Sequence, residues 1–186
     1  NITNINVTPL HVAFDEVCRA AAARGVRVTG AEIVGLMPKR VLLDAGRHYL
    51  EMQQRSVGIP EDDIIQIAIK SMSLDQLKPF YPKEKVIEML LEADDDTQKL
   101  VDLSVKAFTE ETSRESPAPG GGTIAACMGA MGAALGTMVA NLSAHKRGWD
   151  ERWEEFSRWA EKGQALQSRL LRLIDDDTAA FNEIMA

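Results

Sequence analysis

The chain has 186 residues, of which 45% are hydrophobic and 26% are charged, a composition typical of a globular protein. Its 21 Lys and Arg residues against 28 Asp and Glu residues give a formal net charge of −7. Without a basic tract, such a chain is not expected to bind nucleic acid as its main partner. The two cysteines, Cys18 and Cys127, lie outside any metal-binding spacing, which predicts reduced thiols, no metal site and a cytoplasmic location. Both ends of the chain look cut, with no targeting signal at the start.

The first third of the chain alternates strand patterns and helix patterns. Apolar residues alternate over 2–7 and recur over 26–36, which predicts two strands. The predicted helices run from Thr8-Pro9 to Gly25, from Arg40 to Arg55 and from Glu61 to Ser71. Because strands and helices alternate, we expect a two-layer α/β subdomain here.

The remainder of the chain is predicted to be helical. Prolines in Leu77–Pro82 interrupt any helix there, and a short helix, Lys83–Leu91, follows. Further on, the predicted helices are Gln98–Glu115, Gly122–Ala144 and Trp149–Met185. The expected fold class is α+β overall, with both parts truncated. It has three predicted parts: an N-terminal two-layer α/β subdomain over 1–75, a linker over 76–96 and an all-α helical-bundle domain over 97–186.

The segment Thr123–Ala144 is long enough to cross a bilayer and contains no charged residue. Its composition is dominated by Ala and Gly, it has no aromatic belt, and it includes several polar residues. Small residues instead allow helices to approach closely. We therefore expect no membrane span here but a buried core helix.

A glycine-rich turn, Ser-Pro-Ala-Pro-Gly-Gly-Gly-Thr, occupies residues 116–123 directly before that helix. Its glycines let the backbone approach a ligand, and the helix start offers N–H groups and the positive end of the helix dipole. These features suit a carboxylate, a phosphate or a developing oxyanion. The turn lacks the pattern of a Walker loop or of a dinucleotide-binding loop. A simple hinge before a tightly packed helix remains an alternative.

An acidic residue interrupts the apolar stripe of the last predicted helix. Asp177 lies three residues after Ile174 and four before Phe181 on that stripe. A carboxylate there loses hydration, so its pKa is expected to rise unless a cation or hydrogen-bond donors compensate. A raised pKa suits a general acid–base at neutral pH. Alternatively, the carboxylate ties its helix to a neighbouring helix N-terminus or to an arginine. Asp175 is predicted to point away from the stripe.

Other polar residues give weaker signals. Lys146 and Arg147 follow the small-residue helix and either bind an acidic group or complement the helix dipole. The aromatic residues that begin at Trp149 have the spacing of a packing face. His11 and His48 have no Cys or His at ligand spacing, so we expect no metal there.

Several motifs resemble known folate enzymes. The turn at 116–123, Met131–Asn141 and Leu173–Phe181 resemble the formimidoyltetrahydrofolate cyclodeaminase family. Two earlier segments, Val7–Phe14 and Val28–Pro38, resemble the C-terminal subdomain of glutamate formimidoyltransferases. In this order they are similar to the family of bifunctional formimidoyltransferase–cyclodeaminases.

The resemblance implies two consecutive reactions of histidine degradation. A formimino group moves from N-formimino-L-glutamate to tetrahydrofolate, and 5-formiminotetrahydrofolate then cyclises to 5,10-methenyltetrahydrofolate with release of ammonia. It also implies a cytoplasmic homo-oligomer that uses polyglutamylated tetrahydrofolate as substrate and no metal.

The resemblance also implies roles for particular residues. Asp177 matches the catalytic aspartate of the cyclodeaminase, and Asp175 is the second candidate. The expected folate-binding residues are Gly120, Gly121, Gly122, Met131, Gly132, Ala133, Leu135 and Met138. From their charge alone, Lys146 and Arg147 are expected to hold the glutamyl tail of folate.

The transferase's catalytic histidine is expected outside this chain, and neither His11 nor His48 inherits its role.

Two other functions remain open. One alternative is a non-catalytic folate-binding or assembly module in which Asp177 only ties helices together. The other is a stand-alone methenyltetrahydrofolate cyclohydrolase, which shares the helical fold.

Overall fold

The computed structural model describes residues 2, 4–93 and 99–185. The chain divides into two compact units, Asn1–Asp96 and Thr97–Ala186. The acidic run at residues 94–97, which the sequence predicts to cap a new helix, lies outside the described residues. The assignment of the three predicted parts, 1–75, 76–96 and 97–186, stays a prediction.

The first unit contains five helices among its described residues, and proline precedes three of them. Pro9, Pro38 and Pro60 have φ between −65° and −53°, the range in which proline leads directly into a helix. The three longer helices lie within a few residues of the predicted bounds. The five helices are α1 (Leu10–Ala22), α2 (Lys39–Met52), α3 (Glu61–Ser71), α4 (Pro82–Lys85) and α5 (Ile87–Ala93).

Large apolar side chains fill the core of the first unit. Leu42 of α2 and Met72, which follows α3, are completely buried, as is Val86 between α4 and α5. The backbones of α2 and α3 approach so closely that a Cβ atom at Gly46 would overlap the carbonyl of Ile64. Val86 belongs to the predicted linker, so part of that segment packs into the core of this unit.

The predicted strands over 2–7 and 26–36 are not confirmed. Among the described residues the only β-bridge is an isolated parallel one between Met37 and Val86. Residues 26–36 are not helical, and the N–H of Ala31 donates to the carbonyl of Ser73 at 3.2 Å. Strand formation requires a neighbouring strand for the backbone groups, and apolar alternation does not supply one. The described chain is therefore mostly helical, and the α/β character of its first part is not confirmed.

The second unit is built around two long antiparallel helices. Its α-helices are α6 (Val105–Thr112), α7 (Gly121–Ala144) and α8 (Trp153–Met185), with short 3₁₀ turns at Leu100–Asp102 and Asp150–Arg152. The predicted helix Gln98–Glu115 is interrupted. Ser104 has extended backbone angles, and its hydroxyl accepts a hydrogen bond from the N–H of Ala107 at 3.2 Å. Such a serine starts a new helix because its side chain replaces a missing helical acceptor.

Small side chains form the contact between α7 and α8. The buried residues of α7 lie on one stripe: Thr123, Ala126, Ala130, Thr137, Ala140 and Ala144. At Gly163 of α8 a Cβ atom would overlap Thr137, which shows how closely the helices approach. Only one face of α7 is buried, so the predicted core helix is covered on one side. By length and composition, α7 is the one helix in the described part of the chain that could cross a membrane, which is weak evidence for a span.

Candidate functional site

The carboxylate of Asp177 on α8 contacts the first turn of α7. Its Oδ2 atom accepts a hydrogen bond from the backbone N–H of Thr123 at 2.8 Å and one from the Thr123 hydroxyl at 2.9 Å. First-turn amides lack helical partners and carry the positive end of the helix dipole, so a carboxylate is stabilised there. The structure thus brings together the glycine-rich turn and the acid of the last helix.

Gly122 is the glycine that this contact requires. A Cβ atom at residue 122 would overlap the carboxyl group of Asp177. Nothing lies within 4 Å of a Cβ built at Gly121, and at Gly120 the nearest atom is the carbonyl oxygen of Pro117 at 3.8 Å. Gly122 therefore lets Asp177 reach the helix backbone, while Gly120 and Gly121 leave the outer side of the turn open.

Thr123 is a site residue that the sequence analysis did not single out. Its side chain is 0% exposed, and its Oγ1 lies 3.1 Å from the Oγ1 of Thr178. Because the single hydroxyl hydrogen of Thr123 is donated to Asp177, Thr178 is the donor in this second hydrogen bond. The available signal was a pair of threonines, one in the first turn of α7 and one directly after the candidate acid.

The Asp177 side chain is exposed, in contrast to its predicted burial within an apolar stripe. Ile174 of that stripe is buried, but Leu166 and Ile184 are exposed. The predicted loss of hydration is therefore not observed. Among the described residues, both hydrogen bonds to Asp177 reach Oδ2 and none reaches Oδ1.

Asp175, the second predicted acid, contacts a different element. Its Oδ1 accepts a hydrogen bond from the backbone N–H of Leu100 at 2.6 Å, at the start of the first 3₁₀ turn. Residues two apart on a helix differ by about 200° in direction. The structure therefore does not bring Asp175 and Asp177 together as a carboxylate pair, and Asp175 caps a turn.

Three predicted folate-binding residues, Met131, Leu135 and Met138, lie on an exposed side of α7. Their spacing of three and four residues places them on one face, about opposite the stripe that contacts α8. Gly132 is also exposed, whereas Ala133 is half-buried. We define the outward face of α7 as Met128, Met131, Leu135, Met138 and Leu142.

Lys146 and Arg147 lie at the opposite end of α7 from Asp177. A helix of 24 residues is about 36 Å long, so the structure separates these cations from the glycine-rich turn. Lys146 Nζ is 4.3 Å from the ring centroid of Trp149, which in turn stacks on Phe156 at 5.3 Å. The aromatic residues there pack against one another, as their spacing predicts.

The structure leaves both cysteines as free thiols, with Cys18 on α1 and Cys127 on α7. Within residues 2, 4–93 and 99–185, no cluster of three or more His, Cys, Asp or Glu side chains could hold a metal ion. The groups that meet at the turn are a carboxylate, two hydroxyl groups and a helix N-terminus.

Two family models cover most of the chain. Residues 1–92 match the family described as Formiminotransferase domain, and residues 104–186 match the family described as Formiminotransferase-cyclodeaminase. The second match contains the glycine-rich turn, α7 and the segment around Asp177. The chain therefore matches two kinds of domain, in the order that the motifs predict.

Individual relatives agree with these matches. The chain is 36% identical to the formimidoyltransferase-cyclodeaminase of Rattus norvegicus over 97% of its own length and 33% of the relative's. It is 34% identical to that of Gallus gallus over 100% of the chain and 34% of the relative. A methenyltetrahydrofolate cyclohydrolase of Methylorubrum extorquens is 38% identical over 44% of the chain and 39% of the relative. The chain is similar to formimidoyltransferase-cyclodeaminases along nearly its whole length, and it spans about one third of the length of these bifunctional relatives.

Proposed function

We propose that this chain is part of an enzyme of histidine degradation that carries out two folate-dependent one-carbon reactions. The first transfers a formimino group from N-formimino-L-glutamate to tetrahydrofolate. The second cyclises 5-formiminotetrahydrofolate to 5,10-methenyltetrahydrofolate and releases ammonia. The observation that carries the proposal is the contact between Asp177 and the first turn of α7, in a chain that resembles bifunctional relatives along its whole length.

The second reaction requires the transfer of one proton from folate N10 to the departing nitrogen. Folate N10 attacks the formimino carbon, which forms one C–N bond; the N10 proton must then leave, and the departing nitrogen must gain a proton before its C–N bond breaks. Oδ1 of Asp177 is available to take the first proton and return it to the departing nitrogen. Thr123 holds Oδ2 and so fixes the orientation of the carboxylate.

The folate is proposed to lie along the outer side of the turn and the outward face of α7. Gly120 and Gly121 leave room for a ligand next to the first-turn amides. Met131, Leu135 and Met138 offer an apolar, adaptable surface against which aromatic rings pack favourably. This arrangement would place the reacting nitrogen atoms near Asp177 and the rings against the helix.

Lys146 and Arg147 are proposed to bind the glutamyl tail of a folate. The distance of about 36 Å from the turn is too long for the tail of a monoglutamyl folate bound at Asp177 of the same chain. These cations therefore fit an extended polyglutamyl tail. A shortened tail should then weaken binding more in the unaltered protein than in a Lys146→Gln/Arg147→Gln variant.

A non-catalytic assembly module is the second candidate. It is favoured by the same hydrogen bonds, because a carboxylate that caps a helix also ties α8 to α7. A stand-alone methenyltetrahydrofolate cyclohydrolase is the third. Only the similarity to the Methylorubrum extorquens relative supports it, and that similarity covers less than half of the chain.

The deciding experiment compares Asp177→Asn with Asp175→Asn in the polypeptide as naturally encoded. We expect Asp177→Asn to lower ammonia release from 5-formiminotetrahydrofolate at least about 100-fold, because general acid–base catalysis is lost. Folate binding and assembly should survive, since the asparagine oxygen still accepts from Thr123. Asp175→Asn should retain turnover. Loss of assembly together with activity in Asp177→Asn would instead support the assembly module.

We also propose the finer features that the family implies: an α/β first part, a homo-oligomer and a cytoplasmic location. Exposed apolar residues in 26–36, such as Val34 and Leu36, favour a sheet completed by other polypeptide. The outward face of α7 favours self-association, because large apolar patches are usually covered. The free thiols of Cys18 and Cys127 favour a reducing compartment.

A further inference from the structure

Helix α1 is held on the first unit in a different way from α2 and α3. It contains no buried residue, and only Leu10 and Phe14 pack partly against the apolar core. Val12 and Val17 of the same helix are exposed. An element with few buried apolar contacts opens at low free energy, so its polar contacts have a large influence on whether it stays docked.

Asp15 makes two polar contacts between α1 and α2. One carboxylate oxygen lies 2.9 Å from Nε2 of His48, and the other accepts a hydrogen bond from the Tyr49 hydroxyl at 3.0 Å. Both partners belong to α2, so the two bonds fasten α1 directly to α2. Because an ionised carboxylate only accepts, His48 carries a hydrogen on Nε2.

A second ring from α1 completes the cluster. His11 stacks on His48 with ring centroids 4.4 Å apart and an angle of 25° between the planes. Its Nδ1 is buried and has no hydrogen-bond partner among the described residues. The groups that act on His11 are Asp15 on its own helix and Asp44 and His48 on α2.

We propose that His11, Asp15, His48 and Tyr49 form a pH-sensitive clasp that holds α1 on α2 at neutral pH and releases α1 in mild acid. In the docked state, protonation of His11 creates a buried N–H without an acceptor and a cation stacked on a second imidazole. Both effects disfavour docking. The acid response is assigned to His11, because His48 already donates to Asp15 whereas Nδ1 of His11 has no hydrogen-bond partner among the described residues.

The direction of the pH response follows from His11. Burial first, and then the neighbouring His48, lower the pKa of His11 below its ordinary value of 6.5, while Asp15 and Asp44 act in the opposite direction. Released α1 therefore binds a proton more readily than docked α1. Above pH 6.5 the neutral His11 ring contributes fully to the free energy of docking of α1. This contribution is lost as the pH falls from 6.5 through the lowered pKa of His11.

Tyr49 makes the docking of α1 sensitive to pH only in strongly basic solution. Burial, followed by the hydrogen bond to Asp15, raises the pKa of Tyr49 well above its ordinary value of 10. Its hydroxyl thus keeps its hydrogen throughout the neutral range. The hydrogen bond from Tyr49 to Asp15 therefore stops stabilising the docked α1 only as the pH rises above about 10.

The test is hydrogen exchange of the α1 amides at pH 7.5 and pH 5.5 in the polypeptide as naturally encoded, with rates corrected for intrinsic exchange. We expect the protection of 10–22 to fall with acidification, by at most about tenfold per pH unit because one proton is bound. Amides of α3 should change much less. In His11→Phe, which keeps a stacking ring without a titrating nitrogen, the acid-induced loss should disappear. His145→Gln, in the other unit, is the matched control and should behave like the unaltered protein.

Two outcomes would overturn the proposal. One is an acid-induced loss in α1 that persists unchanged in His11→Phe; the other is an equal loss in α3, which indicates general destabilisation. The NMR titration of the His11 ring in the unaltered protein provides an independent measurement if His11→Phe does not fold. A midpoint at or above 6.5 would contradict the clasp.

Discussion

The two units of this chain bury their helices with different kinds of side chain. In the first, large residues such as Leu42 and Ile65 are almost completely enclosed, and Met72 and Val86 close the core around them. In the second, the contact between α7 and α8 is made by Ala, Gly and Thr, and Ile174 is the only large apolar residue that is buried among those described. The first unit therefore encloses a core of large apolar side chains, although others, such as Val34 and Leu36, are exposed; the second unit encloses mainly small side chains.

This difference indicates which surface of the second unit could bind a ligand or another subunit. Close approach of α7 and α8 leaves the large side chains of the outward face of α7 in solvent. An exposed apolar face of this length commonly marks a ligand-binding or subunit surface. It begins near the turn that holds Asp177, so the exposed surface and the candidate acid belong to one region of the second unit.

Truncation of one leucine in each unit tests this contrast most strongly. Leu42→Ala should lower the free energy of unfolding of the first unit by about 2–5 kcal/mol, because it leaves a cavity in an enclosed core. Leu135→Ala should change that of the second unit by less than about 0.5 kcal/mol, because its side chain is exposed. Urea unfolding followed by far-ultraviolet circular dichroism measures the first variant. All three tryptophans lie in the second unit, so tryptophan fluorescence measures the second.

A cost above about 2 kcal/mol for Leu135→Ala would break the contrast, because it would mean that the outward face of α7 is covered in solution. In that case the dependence of the transition on protein concentration would tell whether the cover is a second copy.

The glycines of the turn provide a sharper test within the second unit. Gly122→Ala should destabilise it by about 1–3 kcal/mol and lower ammonia release, because the added Cβ displaces Asp177 from Thr123. Gly121→Ala is the matched control, because nothing lies within 4 Å of the new atom. Its free energy of unfolding should stay within about 0.5 kcal/mol of that of the unaltered protein. Tryptophan fluorescence during urea unfolding gives the stability, and 5-formiminotetrahydrofolate gives the activity. Equal effects of the two substitutions would contradict the role assigned to Gly122.

The smallest expected effect concerns Glu88. Like Asp177, it is a carboxylate that caps the N-terminus of a helix remote in sequence. Glu88 accepts a hydrogen bond from the backbone N–H of Lys39 at 2.7 Å, much as Asp177 accepts from Thr123. That bond lowers the pKa of Glu88 below its ordinary value of 4.5. Its contribution is present above pH 4.5 and is lost as the pH falls through the lowered pKa.

Glu88→Gln should therefore cost the first unit roughly 0.5–1 kcal/mol at pH 7 and less near pH 3. Ammonia release should not change. Stability curves by circular dichroism at the two pH values measure the effect. A loss of turnover equal to that of Asp177→Asn would show that capping, and not proton transfer, explains both residues.

The sequence was sufficient to locate most helices and to recognise the two motifs of the candidate site, but not to establish their contact. Periodicity located α2 and α3 within a few residues, because helix periodicity is a local property. The glycine-rich turn and Asp177 were each recognisable from chemistry. Their contact was foreseen only as an alternative, in which an acid ties its helix to a neighbouring N-terminus.

Other features required the tertiary structure. The strand patterns over 2–7 and 26–36 depend on a neighbouring strand that is not found among the described residues. The exposure of Asp177 depends on how much of α8 its neighbours cover. Thr123 became a site residue only when α7 and α8 were placed together, and Asp175 was separated from Asp177 by its own bond to Leu100.

The sequence by itself thus determined the family resemblance, the long helices and the identity of the candidate acid, because these reside in local patterns and short motifs. Only the tertiary structure decided which oxygen of Asp177 is held, why residue 122 is a glycine and which face of α7 is left open. These properties arise from contacts between residues about 50 positions apart, and no local pattern specifies the distance of such a contact.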